Sequence, residues 1–292
     1  YADAVGLREK GIQLKTERLQ GNYQVTARTM GSRTKEFGED QSAKYLKDAE
    51  TIVDCLTNPE NPNYEPDNQR YLFYAGQSYY DAGDNEKAYA WYKKRAEAEG
   101  WEEEQWYAVY CMANAEMMKK NPDAWQIAQD HLLQAWNIRP HRAEPLLHLA
   151  RTHRLNENPR LAYMFAKQAL EIQFPQNDIL FLCRSVYEWE ILDEIGAVAH
   201  TIGQFEVGYH VCKKLLEEKK YPEEHHERIF NNFKSYEGIL VQRQQNIEKQ
   251  KVEAASKQED DKKRRERVRK LREEENRKAK RLNKKARKIR SL

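Results

Sequence analysis

The sequence predicts an all-α protein built from repeated helix pairs, with a short β-type stretch before them and a long basic helix after them. Three observations predict this. Apolar residues recur at three- and four-residue spacing from about Ser42 to Tyr236, the period of a helix with one buried face. Breakers punctuate those runs: Asn58-Pro59 through Pro66, Gly83-Asp84, Gly100, Asn121-Pro122, Pro140, Asn156 to Pro159, Pro175, Gly203 and Pro222. Charge then divides the chain. Residues 243–292 hold 21 Lys and Arg against 9 Asp and Glu, a net of +12, whereas residues 1–242 hold 29 against 38, a net of −9. The whole chain of 292 residues is 39% hydrophobic and 33% charged, against about 45–50% and about 25% in ordinary domains. That argues against one large globular core. The 12 Gly and 9 Pro are too few for a turn-rich β-sandwich, and no apolar run approaches the roughly 20 residues that span a bilayer.

Taken in order, residues 1–41 carry β-type signals. Ile12 and Leu14, then Tyr23, Val25 and Ala27, alternate with polar residues, and Gly21-Asn22 reads as a turn. So short a stretch cannot bury a core alone, so it reads as the edge of a sheet, or as a hairpin decorating a helical domain. The chain opens on Tyr1 with no apolar leader region, and the expectation is a fragment or a processed product. The cysteines Cys55, Cys111, Cys183 and Cys212 form no CxxC pair. They read as buried thiols in a reducing compartment, which makes the expected location cytoplasmic.

Residues 42–238 read as the repeat domain. Leu46, Ala49, Ile52 and Val53 place a helix over Lys44 to Leu56, stacked at the front. From Gln69 a 34-residue frame puts Leu72, Gly76, Tyr79, Ala88 and Tyr92 at positions 4, 8, 11, 20 and 24, with Gly83-Asp84 in the turn. A frame from Ala143 places Leu146, Ala150, Ala162 and Ala169 at 4, 8, 20 and 27, and one from Trp189 places Leu192, Gly196, Gly208 and Cys212 at 4, 8, 20 and 24. Small residues at 8 and 20, where two helices touch, are the signature of the tetratricopeptide repeat. An irregular copy lies between the first two. Ala128, Ala135 and Pro140 fit its second helix, but its first, around Trp106 and Tyr110, needs about six extra residues before the turn. Each pair is too small to bury its face alone, so stacking makes the core.

Several phrases resemble a known family, the family 2 glycosyltransferases that carry tetratricopeptide repeats after the catalytic domain. They are Lys44 to Glu50, Tyr71 to Asp84 with Trp91 to Arg95, Arg139 to Leu146, Ala162 to Leu170 and Val186 to Glu194. The resemblance implies that Val5 to Glu9 and Tyr23 to Arg33 are the end of a catalytic domain, with Arg8-Glu9 where the family has His-Glu. It also implies a parent enzyme that uses a nucleotide sugar and a divalent metal. The chain itself holds no Asp-x-Asp pair and no Walker-type or GxGxxG loop. No cofactor, catalytic residue or metal ligand is therefore assigned to it, and a non-catalytic scaffold is expected.

Two interaction surfaces remain. Positions 2, 5, 9 and 12 of each first helix line the inner groove of such repeats. Spacing assigns to it Arg70, Phe73, Gln77 and Tyr80, then Tyr107, Cys111 and Asn114, then Leu147, Arg151 and Arg154, and finally Asp193 and His200. Aromatic and polar groups mixed in this way suit a protein or peptide partner; the alternative is a solvated face. The tail, residues 239–292, lacks Pro and aromatic residues and is rich in helix formers, so it reads as one long helix. After Glu275 no acidic residue follows. Arg264, Arg265, Arg277, Lys278, Arg281, Lys284, Lys285, Arg287 and Lys288 are the candidate contacts to nucleic acid or another polyanion; the alternative is a charged helix that only confers solubility. His131, His141, His148 and His153 lack metal-ligand spacing and read as structural or surface residues.

Overall fold

The computed structural model describes residues 41–119 and 122–289. The β-type stretch of 1–40, Arg8-Glu9 included, lies outside the described residues. Ten α-helices are described: α1 Gln41–Thr57, α2 Gln69–Ala82, α3 Asn85–Glu97, α4 Glu102–Met117, α5 Ala124–Ile138, α6 Glu144–Leu155, α7 Pro159–Leu170, α8 Ile191–Val198, α9 Phe205–Glu218 and α10 His226–Ile289. The fold is all-α, and α2 to α9 fall into the four pairs that the repeat frames set out, with α1 in front. The chain separates into two compact units, Tyr1–Leu149 with Gln168–Tyr187, and Ala150–Lys167 with Glu188–Leu292.

Local chemistry sets the helix ends. Asn68 accepts from the Tyr71 amide at 3.0 Å and starts α2. Gly83 ends it in the left-handed region at φ 85°, where glycine has no Cβ to clash. One residue on, Asp84 accepts from the Lys87 amide at 3.1 Å and starts α3. Glu102, Glu103 and Glu104 occupy the first turn of α4, where the helix dipole favours negative charge. The irregular copy is explained by α4, which runs 16 residues against the 14 of α2 and is followed by a longer turn. The third frame opens on a wide π-type turn, Val186–Glu190, which leaves α8 only eight residues long.

In the first unit, α1 packs on α2, α2 on α3, α3 on α4 and α4 on α5. The close approach of the first pair is visible at Gly76. A Cβ there would lie 2.8 Å from the Tyr92 ring, so positions 8 and 24 touch directly. Ala88, Ala128 and Ala135 are fully buried. Phe73, Tyr79, Tyr92 and Met112 form one core cluster with Ala88.

In the second unit, α8 packs on α9 and α9 on α10. The same 8-to-24 contact recurs: a Cβ on Gly196 would lie 2.9 Å from Cys212 Sγ. Gly208 faces the Tyr236 ring, which covers it, and the Tyr236 hydroxyl donates to the Gly196 carbonyl at 2.8 Å. The start of α10 thus works as a capping helix, with Ile229 and Tyr236 buried and Arg228 bonded to both oxygens of Asp193 at 2.8 and 2.9 Å. Further on, α10 is exposed throughout its described side chains. Pairs such as Lys263 with Glu259 and Lys270 with Glu266 follow its surface one turn apart.

The thiols differ more than the sequence suggests. Cys111 and Cys212 are buried, and burial pushes each up to about 12. Cys183, also read as buried, is exposed, because it sits in the irregular segment after α7.

Candidate functional site

The inner-face residues of the first unit sit on α2 and α4. Arg70 is ion-paired to Glu104 and lies over the Trp101 ring at 5.3 Å. Gln77 donates to Asp81 at 3.2 Å and accepts from the Tyr92 hydroxyl at 3.3 Å. Tyr80, Tyr107 and Asn114 are half-buried. Phe73 departs from the expectation of an open groove residue. It is 1% exposed.

The Tyr92 and Tyr107 rings lie against Phe73, centroids at 6.2 and 6.0 Å, and a segment of the chain itself completes the cover. Residues 171–185 form no regular helix or strand beyond a helical end, and part of that stretch lies on the face of α2 and α4. The Phe181 ring stacks on Tyr107, centroids 4.5 Å apart, and on Phe73 at 6.2 Å. Phe73 and Tyr107 hold the same repeat position, the fifth, on successive first helices. The backbone of the segment is held as well. The Ile179 and Leu180 amides donate to Glu103 Oε2 at 2.9 and 2.7 Å. Arg142 donates to the Leu180 and Phe181 carbonyls, both at 3.2 Å.

Asp178 anchors the near end. Arg139 donates to its two oxygens at 3.2 and 2.7 Å, Arg142 donates at 3.2 Å, and His141 Nε2 lies 3.2 Å away. Burial alone would raise the carboxyl, but the hydrogen bonds from Arg139 and Arg142 outweigh it and hold Asp178 below its usual 3.8. Glu144 fixes Arg142 by two bonds of 3.1 and 3.0 Å and accepts from the Tyr187 hydroxyl at 2.8 Å. Arg142 is fully buried and stacks over Trp106 at 3.8 Å. This ionic cluster went unrecognised in the sequence, although the phrase from Arg139 to Glu144 was visible as three cationic or titratable groups and an acid around a turn.

In the second unit, Arg151 donates to Glu190 at 2.7 Å and Arg154 to Glu194 at 2.6 Å. Both arginines keep about 40% of their side-chain surface in solvent. His200 falls beyond the end of α8, on the turn, because that helix stops at Val198. Its ring meets Phe205 edge-on at 5.5 Å, so it is a turn residue rather than a helix-face residue. Among the tail candidates, Arg264, Arg265, Arg277 and Lys278 are exposed on α10. Arg281, Lys284, Lys285, Arg287 and Lys288 fall on its last turns, with side chains outside the described residues. Among the described residues, no helix is long and apolar enough to cross a membrane.

No family model matches the chain, and no curated protein matches it. Among solved structures it is similar to the crystal structure of MamA, with a TM-score of 0.44 at 18% sequence identity over 65% of this chain and 95% of that one. The assignment of the fold rests on the repeat contacts seen directly, Gly76 with Tyr92 and Gly196 with Cys212.

Proposed function

We propose that the chain is a non-catalytic helical-repeat scaffold that holds protein segments on the face of its first helices. One observation carries the reading: the face of α2 and α4, with the turn after α5, already holds an irregular stretch of polypeptide by its backbone, through Glu103 and Arg142. A surface that satisfies the amides and carbonyls of an irregular segment has the chemistry that peptide recognition requires. Half-exposed Tyr80 and Asn114 in the first unit, and Arg151 and Arg154 in the second, are the residues to which partners would be added. The cysteine pattern favours a cytoplasmic setting. The phrases shared with the repeat regions of family 2 glycosyltransferases favour such an enzyme as the parent. A nucleotide-sugar domain in the reading frame upstream of Tyr1 would support that parentage, and an unrelated frame would remove it.

Selection of random displayed peptides on the immobilised chain tests the scaffold reading. Selected peptides should lose affinity when Tyr80, Asn114, Arg151 or Arg154 is replaced by alanine. If none of the selected peptides responds to any of these replacements, the reading fails.

A second reading has its own support. The tail exposes Arg264, Arg265, Arg277 and Lys278 on one continuous helix, and residues 262–292 carry 17 basic and 4 acidic residues. A rod of such charge suits a polyanion.

A further inference from the structure

We propose that the face of α2 and α4 is a site for a peptide bearing a carboxylate and, three residues later, an aromatic ring, and that residues 178–181 occupy it in cis and must leave before such a peptide enters. This rests on the scaffold reading and gives it a ligand and a gate.

The occupant defines the ligand. Each group of Asp178-Ile-Leu-Phe181 that the site touches has a partner, and Glu103 and Arg142 each serve more than one. Asp178 meets Arg139 and Arg142, the next two amides meet Glu103, the last two carbonyls meet Arg142, and the Phe181 ring meets Phe73 and Tyr107. Ile179 makes the opposite case. Its side chain is 64% exposed, so the residue after the carboxylate is read by its backbone alone. Leu180 packs against the core cluster, so the recognition pattern is Asp, one residue of looser identity, an apolar residue, then an aromatic.

The same contacts explain why the site does not stand empty. Arg142 and Glu103 are buried, and a buried charge stripped of its partner is costly. Exchange is different. A peptide with the same carboxylate, amides, carbonyls and ring restores every contact, so swapping one occupant for another costs far less than emptying the site. The resident segment also carries a penalty, which a peptide making the same contacts shares. Phe181 lies at φ 47°, in the left-handed region that bulky side chains disfavour. What favours the resident segment is tethering. A segment joined to the site acts at an effective concentration of order millimolar, so a free peptide of the same sequence competes only near that concentration.

The probe is the peptide Gln176–Arg184 with Cys183→Ser, capped at both ends and labelled with fluorescein. Binding is read by anisotropy on the full chain and on the double variant Asp178→Ala/Phe181→Ala. Saturable binding to the variant is expected, at least tenfold tighter than to the natural chain. Replacing Asp178 or Phe181 in the peptide should weaken it at least tenfold. Equal affinity for both proteins, or no binding to a variant whose circular dichroism and melting show it folded, would overturn the proposal. Should the variant not fold, hydrogen exchange on the natural chain decides. The Ile179 and Leu180 amides should be protected, and unlabelled peptide at several millimolar should speed their exchange while α2 amides stay slow. Fast exchange without peptide, or no change with it, would overturn the cis occupancy. If displayed peptides bind the first-helix residues but lack the carboxylate-to-aromatic spacing, the scaffold reading stands and this one falls.

Discussion

One helix shows two ways of being stable. From His226 to about Arg243, α10 is held by packing: Ile229 and Tyr236 are buried, Arg228 grips Asp193, and Arg243 lies 4.4 Å over the Phe205 ring. From there to Ile289 every described side chain is exposed, and the helix rests on intrinsic propensity and on pairs one turn apart. The first part behaves like the repeat body, where a single side chain decides whether two helices can meet. The second has no neighbour to lose. Sensitivity to substitution should therefore fall steeply along the chain even though the secondary structure does not change.

The largest effect is expected where charge is buried in the body. Arg142→Ala leaves Glu144 without its cation and Asp178 with Arg139 as its remaining arginine, opens two carbonyls, and should destabilise the chain by about 3–5 kcal/mol in a denaturant melt. Arg272→Ala on the exposed part of α10 should move the same melt by less than about 0.5 kcal/mol. Comparable values for the two would dissolve the contrast.

Steric contact ranks next. Gly76→Leu drives a side chain into the Tyr92 ring, where even a Cβ would sit at 2.8 Å, and overpacking of this kind costs about 3 kcal/mol. Ala150→Leu, at the same repeat position and fully buried, should be of similar size. Gly238→Leu, on α10 with open space around its Cβ, should be harmless or slightly stabilising through helix propensity. Equal destabilisation at Gly76 and Gly238 would sink the repeat register.

Position 8 was legible because the repeat is local: a small residue 12 before another small residue, with a Gly-Asp turn between, needs no knowledge of the rest of the chain. The inner-face positions were assigned by the same counting, and three of them, Phe73, Cys111 and Leu147, are buried. The occupant of that face was not legible. Glu103 meets Ile179 across 76 residues, and residues 171–185 carry no period that could announce a partner. A buried arginine in a turn between helices also looks, in sequence, like any solvated charge. Phe73 was read as an open groove residue, but it is packed among Tyr92, Tyr107 and Phe181. His200 was misplaced because counting by 34 assumes a first helix that reaches position 12, and this one stops at Val198, two residues short.

Acid should weaken the body before the tail. His153 is buried against Phe165, rings stacked 5.4 Å apart, and burial lowers its pKa below the usual 6.5. The folded state therefore favours neutral imidazole, and stability is lost as pH falls below about 6.5, where the unfolded chain binds the proton first. Asp178, held below 3.8, adds a second loss at lower pH as its carboxylate is protonated. Thermal melts from pH 7 to pH 5 should show a decline that His153→Gln reduces. No difference between the two chains over that range would remove His153 as the cause.

Smaller again is Tyr236→Phe. It deletes the donor to the Gly196 carbonyl while keeping the ring over Gly208, and should cost about 1 kcal/mol. It also separates packing from hydrogen bonding at the junction where the packed part of α10 begins.

The smallest effect on stability, and the sharpest on binding, is expected from removing residues 262–292. They carry 17 basic and 4 acidic residues, a net of +13, and the helical part up to Ile289 would form a rod of about 42 Å at 1.5 Å per residue. Cations lie on nearly every face, so contact should not depend on one groove geometry or one base sequence. Affinity should come from counterion release instead. For six or more phosphates neutralised, it should fall about a thousandfold between 50 and 200 mM salt. The truncated chain should melt within about 0.5 kcal/mol of the full one, because Val268 and Leu271, apolar residues of the deleted part whose side chains are described, are exposed. Anisotropy with a labelled RNA and a labelled DNA of unrelated sequence, at both salt levels, measures the binding. Binding that survives truncation would move the polyanion site into the body, and binding indifferent to salt would mean that something other than charge makes the contact. A large drop in melting on truncation would show that exposed helix past Arg243 is supported by more than its own propensity, and the contrast between the two parts of α10 would fail with it.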